Sequence, residues 1–537
     1  MKTSRRVTRA ALSPSPERSP ERSKRKCPAN AQTNTCQRIG VHADNCIPGC
    51  GTGRSVPCRF RPDEIGFLLM RRHNAVPATR SLGLFSLRAM IAGLFLPFLI
   101  DAALPQGNDR PTPDQPAPSP APLKPVATPI QIPNLPLGVV TFPNGKAMNL
   151  TVALGSSAFR HAGDPPGRLW LLTDRGPAIA CGEAKRLIGL EAEQACGGDK
   201  AGRIAPLPGF VPSLYAIDIG GDMVARVNHF IPFKGKSGKP ISGRPNPVSN
   251  GTKSEPLFAA DGKPLAPDPS GVDPEAFVRL ADGSFWVAEE YGPSLFEVAP
   301  DGTIRRRLVP SNTVGDFKDA DYDIVPAFPP VARMRMTNRG FEGLAISPDE
   351  KFLFALMQSP LANPDAEASA QSRNVRIWKV ERETGQIVGQ YLYQLDEPRD
   401  FKADNEGRER TRHDVNASEL VAVGENKLLV LEKIDKTARL FLVTLDEANR
   451  VPGEFDLPEM TPSLEVLDGE ALTLRGLAPL PKTLVLDTDS VPGLPSKIEG
   501  VAVMAPDELI VINDNDYGVD GVRTQMFRIT LPQPVLR

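Results

Sequence analysis

Long apolar runs are missing from this chain, and with them an obvious means of spanning a membrane. The apolar run Ala89 to Ile100 has twelve residues, whereas a helix crossing about 30 Å of hydrocarbon needs about 20. Charge of one sign is missing too. Lys and Arg number 63 against 64 Asp and Glu, giving a net charge of -1 and a pI of about 6.6, which leaves no global attraction to nucleic acid or anionic lipid. No Gly-x-Ser-x-Gly elbow occurs, so the ordinary α/β-hydrolase nucleophile is excluded. Amphipathic helices are scarce. Cysteine is nearly absent after residue 58, where only Cys181 and Cys196 remain. The five earlier cysteines, Cys27, Cys36, Cys46, Cys50 and Cys58, are spaced C-x8-C-x9-C-x3-C-x7-C, which does not match a paired C-x2-C zinc pattern.

Proline is the exception to this poverty, at 56 of 537 residues. Eleven of them fall between Pro105 and Pro136, the mark of an extended, polyproline-type linker. The sequence therefore divides into residues 1–69, a disordered extension; 70–103, a signal peptide or anchor; 104–136, a Pro-rich linker; and 137–537, the folded domain. Met70 stands directly before Arg71-Arg72, and Arg80 and Arg88 complete a basic lead-in to the run at 89–100, with Ala102 and Ala103 as small residues after it. That order is the order of an export signal. Residues 1–69 then read as lying upstream of the working start, and the rival readings are an uncleaved anchor or a cytoplasmic tail. The expected location is secreted or periplasmic, or anchored to a membrane and facing away from the cytoplasm. Cys181 and Cys196, fifteen apart, form either a local disulfide in an oxidising compartment or two free thiols, and spacing alone does not choose between them.

What the folded region has in quantity is a repeat. One phrase recurs as Asp273-Pro274-Glu275-Ala276-Phe277, Gly340-Phe341-Glu342-Gly343-Leu344-Ala345, Ala417-Ser418-Glu419-Leu420-Val421 and Lys497-Ile498-Glu499-Gly500-Val501-Ala502. Each is followed by a turn and an apolar strand. Asp282-Gly283 and Asp301-Gly302 sit between strand-forming runs and predict hairpins. An acidic residue returns one hairpin later, with Glu289 after Glu275, Glu432 after Glu419 and Asp514 after Glu499, while Met357 breaks the series after Glu342. A degenerate earlier copy ends in Asp174-Arg175-Gly176.

About 400 residues of antiparallel hairpins without helical crossovers call for radial closure, because an open sheet of that many strands leaves unpaired edges. The predicted fold is all-β, a β-propeller. Five blades start near 141, 272, 339, 416 and 497, and the stretches at 228–270 and 440–495 leave room for more, so the expected count is six within a range of five to seven. The first strand of each blade lines the central channel. The repeated Glu residues are then expected to form a ring at one channel mouth.

A ring of carboxylates resists common ionisation unless cations compensate. All-oxygen sites of this kind suit calcium, which takes six to eight hard ligands without strict geometry. The competing role for the same Glu residues is a clamp on backbone N–H groups between blades. Asn513-Asp514-Asn515-Asp516 is acidic and dense but departs from the EF-hand loop, since Gly518 occupies a ligand position. Of Glu289 and Glu290, adjacent on a strand and so on opposite faces, Glu289 is expected to face the channel by its register with Glu432 and Asp514.

Asn338-Arg339-Gly340-Phe341-Glu342-Gly343-Leu344-Ala345-Ile346-Ser347-Pro348-Asp349, with Leu356-Met357-Gln358-Ser359-Pro360-Leu361 after it, resembles the central signature of the phytase-like family labelled "esterase-like activity of phytase". Thr173-Asp174-Arg175-Gly176, Trp286 to Pro293, Leu431-Glu432-Lys433 and Lys497 through Asp516 resemble its other blocks, over roughly 137–535. The resemblance implies an exported propeller hydrolase of phosphate or carboxylic esters. By relation to calcium-dependent propeller phytases, it implies metal-assisted hydrolysis at the channel mouth. The residues expected to carry that chemistry are Glu289, Glu342, Arg175 and Arg339, with calcium held by Glu289, Glu342, Glu432, Glu499 and Asp514. The implied partner is a small-molecule ester, with no nucleic acid, a membrane only if 89–100 is an uncleaved anchor, and a monomeric state. The alternative is a non-catalytic propeller outside the cytoplasm that binds a ligand or protein.

Overall fold

A computed structural model describes residues 124–248 and 255–536, which lie within one compact unit running Arg110–Arg537. The expected extension at 1–69 and the signal-like segment at 70–103 fall outside the described residues. Among the described residues, no helix is long and apolar enough to cross a membrane.

Among the described residues, five of the six sheets of four or five strands form the blades. Blade I comprises Ser157–Phe159, Arg168–Leu172, Ser213–Ile219 and Ala225–Pro232. Blade II comprises Pro274–Arg279, Phe285–Glu289, Ser294–Val298 and Ile304–Pro310, with Asp323–Phe328 added in parallel at its outer edge. Blade III holds Phe341–Ile346, Phe352–Met357, Asn374–Glu381 and Ile387–Gln394, and blade IV holds Asn416–Gly424, Lys427–Lys433, Ala438–Thr444 and Lys482–Asp487. Blade V is built from Ile498–Ala505, Glu508–Asn513 and Met526–Thr530, and its fourth strand is Val126–Ile130 from the other end of the chain. The first strands neighbour one another in the cycle I, II, III, IV, V and back to I, which closes the propeller.

The ring thus has five blades, the low end of the expected range and one fewer than six. The stretch at 228–270 holds two short strands of an accessory sheet, and 440–495 holds 3-10 turns, the helix Gly469–Leu474 and the last strand of blade IV. The linker expected over 104–136 is also corrected. Val126–Ile130 pairs antiparallel with Met526–Thr530 despite Pro129, because an outermost strand needs backbone bonds on one side only.

The Asp-Gly turns behave as their chemistry dictates. Gly283 and Gly302 take φ of 85° and 87°, values that glycine reaches without a Cβ penalty, and Asp282 Oδ1 accepts from Ser284 N at 2.9 Å. Blades II and III are welded by aromatic contacts. Phe341 lies 4.7 Å from Phe328 and 5.7 Å from Trp378, ring centre to ring centre. All three are buried, and side chains of this size contribute roughly 1.5–3 kcal/mol each by leaving water.

A recurrent irregularity decides what reaches the channel mouth. In each of four first strands the pairing skips one residue. Pro274 pairs Glu289 and Ala276 pairs Ala288, so Glu275 is bulged out. The skipped residue is Glu342 in blade III, Ser418 in blade IV and Glu499 in blade V. A β-bulge re-aims one side chain at the cost of a ladder pair, and here it does so at the same point of successive blades. Gly340 precedes one such bulge because a Cβ there would stand 1.9 Å from the carbonyl oxygen of Glu290 in the neighbouring blade.

Candidate metal centre at the channel mouth

The bulges and the residues just after the second strands converge on a cavity of about 160 Å³. Glu275, Glu342 and Glu499 come from the bulges. Asp174, Glu290, Gln358, Lys433 and Asp514 come from the second-strand ends of blades I to V, and Asp273, Asp516, Arg175, Arg203, Asn338 and Tyr517 complete the polar wall. Eight of the lining groups are carboxylates and three are cationic. Among the described residues, no His or Cys lines the cavity, so the donors are hard oxygens of the kind calcium and magnesium prefer.

Asp273, Glu275 and Glu290 each bring a carboxylate oxygen to within 4.8 Å of the others. Among the described residues, Glu342 Oε2 is buried without a hydrogen-bond partner, and Glu342 is only 5% exposed. An orphaned buried carboxylate oxygen costs free energy unless something positive reaches it. The local field shows the same demand. Burial pushes Glu342 up to about 8, with Lys433 pulling it back and Glu499 pushing it further. Glu275 and Glu290 are driven well above the carboxylate range by burial and by the charges of Glu342 and Asp273. Asp514 is raised likewise, by burial and by Asp516, Glu499 and Asp174, and burial and Asp273 lift Asp174 to about 7. The donor set therefore fits a divalent cation.

The cationic side chains are themselves anchored. Arg175 Nη1 bonds Glu255 Oε2 at 2.8 Å and its Nε lies 3.4 Å from Asp273 Oδ2, while Arg203 Nε reaches Glu255 Oε1 at 2.9 Å. Lys433 Nζ is hydrogen-bonded to Glu499, and Lys497 Nζ to Asp516.

Of the residues expected at the site, Arg175, Glu342, Glu499 and Asp514 line this cavity and three others do not. Glu289 is turned the opposite way. It is fully buried against Arg307 Nη2 at 2.6 Å and accepts from Gly292 N at 2.6 Å, Asp273 N at 3.1 Å and Asn246 Nδ2 at 3.1 Å. Burial lifts it to about 7 against the pull of Arg307. Its neighbour Glu290 faces the cavity instead. Glu432, in the same register as Glu289, is taken by the Tyr393 hydroxyl, Asp396 N at 2.8 Å and Lys482 Nζ at 2.5 Å. Arg339 does not line the cavity either, and its Nη1 donates to His413 O at 2.9 Å and Asn416 Oδ1 at 2.8 Å. Glu419 from the third phrase is a clamp, its Oε2 accepting from the Ser157 hydroxyl at 2.7 Å and Ala158 N at 3.3 Å.

The physical reason is a register offset of one. Asn513, not Asp514, pairs at the position equivalent to Glu289 and Glu432. Asp514 is therefore the counterpart of Glu290, Gln358 and Lys433. Aligning Glu289 with Asp514 placed them one residue apart in the fold. Among the residues that sequence reasoning missed, Glu290 had a signal in its adjacency to Glu289, and Lys433 had one in following Glu432. Asn338 and Gln358 had one in their places within the family signature, and Arg203 had none.

The family model for phytase-like proteins, described as "Esterase-like activity of phytase", matches residues 154–517. The chain belongs to this family. The match takes in blades I to IV, the first two strands of blade V and the whole wall of the cavity. An "Uncharacterized secreted protein" from Arthroderma benhamiae is 30% identical over 118 residues, which are 20% of this chain and 23% of that protein, so the chain spans under a quarter of the curated relative it matches. Similar solved structures include a PQQ-bound aldose sugar dehydrogenase from Streptomyces coelicolor, 8% identical with a TM-score of 0.29 over 76% of this chain and 99% of that one. A calcium-binding protein, regucalcin, from Agrobacterium tumefaciens is 12% identical with a TM-score of 0.29 over the same shares.

The phytase-like domain also carries a disulfide. Cys181 and Cys196 are bonded, with Cα atoms 6.1 Å apart. The bond lies in the insertion between the second and third strands of blade I, where both sulfurs pack with Phe142, Leu150, Ile188 and Ile204 in a small core of their own. Tyr517, which lines the cavity, belongs to that core.

Proposed function

We propose that this phytase-like chain is an exported hydrolase of phosphate esters that works with calcium held at the channel mouth. The observation that carries the reading is Oε2 of Glu342, which has no hydrogen-bond partner among the described residues and is buried in a wall to which they contribute eight carboxylates and three cations. Asp273, Glu275, Glu290 and Glu342 would hold the ion. Calcium bound there supplies positive charge for an anionic ester and lowers the pKa of a coordinated water.

The chain's own residues do the rest. Arg175 and Arg203 present guanidinium groups to the cavity from fixed positions, since Glu255 holds both. Planar donors pre-set in this way suit a phosphate group, which they engage at two oxygens at once. Gln358 Nε2 donates to Glu290 Oε1 at 2.9 Å and keeps that carboxylate aimed inward. The cavity is smaller than the roughly 300–1,000 Å³ of a site that encloses a drug-sized ligand. A phosphate therefore enters while the organic part of the ester stays outside, which leaves the alcohol portion weakly selected.

Export is supported by the apolar segment at 89–100, by the disulfide, which persists in oxidising compartments, and by the secreted description of the fungal relative. The test is phosphate release from a chromogenic monoester by the purified protein. Activity should require calcium and disappear in Glu342→Gln. Activity that survives a chelator overturns the reading. Calcium-dependent thermal stabilisation without turnover of any phosphate or carboxylic ester would favour a non-catalytic ligand-binding propeller.

A further inference from the structure

We infer that Lys433 is a built-in cation standing in the place of a second metal ion, so that the channel mouth takes one divalent ion and not two. The inference rests on the cation-binding reading above and adds its stoichiometry. Its starting point is the blade register. The residue following the one paired just before the bulge is Glu290 in blade II, Gln358 in blade III, Lys433 in blade IV, where it ends the strand, and Asp514 in blade V, and all four line the same cavity. Blade IV thus presents an ammonium at a position where two sister blades present carboxylates.

Lys433 is buried, at 8% exposure. Burial alone would lower its pKa, yet Glu499 and Glu342 overrule it and hold the ammonium above its ordinary value. Its influence reaches both sides of the cavity, because it bonds Glu499 on one side and pulls down Glu342 on the other. On the Glu342 side stand Asp273, Glu275, Glu290 and Glu342, with Arg175 paired to Asp273 and Arg203 drawing on Glu290, both arginines held by Glu255. On the other side stand Asp174, Glu499, Asp514 and Asp516 with Lys433 and Lys497. Counted with Glu255, which holds Arg175 and Arg203, the first group has two cations for five acids, and it contains the orphaned Glu342 oxygen. The second has two for four. Its bulge carboxylate, Glu499, is ion-paired to Lys433, whereas Glu342 has no ion pair among the described residues. Without Lys433 the second group would carry the same excess of acid as the first.

Calcium binding to metal-stripped protein, counted by titration calorimetry and by native mass spectrometry, tests this. Wild type should bind one calcium per chain, Lys433→Met two, and Lys433→Arg one. The double variant Lys433→Met with Glu499→Gln should return to one, since the acid and its partner leave together. A folded Lys433→Met that still binds one ion overturns the inference and leaves the calcium reading standing. Two ions on the wild type also overturn it, and that measurement needs no variant to fold. A wild type that binds none removes the calcium reading and this inference together.

Discussion

Glu289 and Glu290 are adjacent in sequence and opposite in role, so the same conservative change at each should give opposite results. Glu289→Gln leaves the Arg307 guanidinium, fully buried, without its counter-charge. Removing one partner of a buried pair costs about 3–5 kcal/mol. Unfolding entropy of about 2.1 cal/mol/K per residue over a chain of roughly 400 residues is about 0.85 kcal/mol/K, so Tm should fall by about 4–6 °C. Glu290→Gln removes one of several mutually repelling carboxylates and keeps an oxygen for Gln358, so its Tm without metal should hold or rise. Saturating calcium, at about 100 times Kd, adds about 2.7 kcal/mol to a protein that binds it, or about 3 °C here. Glu289→Gln should keep that increment and Glu290→Gln should lose it. Differential scanning calorimetry with and without calcium reads all four numbers. A calcium increment lost in Glu289→Gln and kept in Glu290→Gln would refute the assignment of the two faces.

Three further outcomes follow from other parts of the fold. Replacing Cys181 and Cys196 together by Ser opens a loop whose closure is worth about 3 kcal/mol, so Tm should drop by about 3–4 °C, and an unchanged melt would show that the insertion does not need the bond. Burial raises Glu419 well above its usual carboxylate range, so the native state holds this proton after the unfolded chain, near pH 4.3, has released it. The resulting penalty grows with pH by about 1.4 kcal/mol per unit until the folded pKa is passed. Tm of Glu419→Gln relative to wild type should therefore climb from pH 5 to pH 8, and parallel pH curves would contradict this. Starting the chain at residue 131 removes Val126–Ile130 and leaves Met526–Thr530 as an open edge, which should lower Tm and promote self-association on a sizing column. An unaltered, monomeric truncation would contradict the pairing.

The legible part of the fold was its periodicity. Hairpins at Asp282-Gly283 and Asp301-Gly302, and the recurrence of Glu275, Glu342 and Glu499, are local signals, and a propeller is a repetition of local structure. Closure was not legible, because the pairing of Val126–Ile130 with Met526–Thr530 joins two ends that share no local pattern. The site was legible to within one residue. Bulges at Glu275, Glu342 and Glu499 push those side chains inward, but the bulge of blade IV falls on Ser418 and leaves Glu419 as a clamp. A bulge changes register without changing composition, so Glu419 reads like its sisters and behaves otherwise. For the same reason Glu289 and Glu432 resembled Asp514 in spacing and differ from it in facing.

The strand Val126–Ile130 has a consequence for the metal as well. Blade V, which supplies Glu499, Asp514 and Asp516, is finished only when the start of the folded chain docks beside its end. The mouth is thus assembled from parts synthesised first and parts synthesised last. A bound ion would act as a seam lock, and its affinity would report whether the circle is shut. Chains nicked after residue 130 would keep every acidic ligand and still hold calcium poorly, which separates owning the ligands from having them gathered.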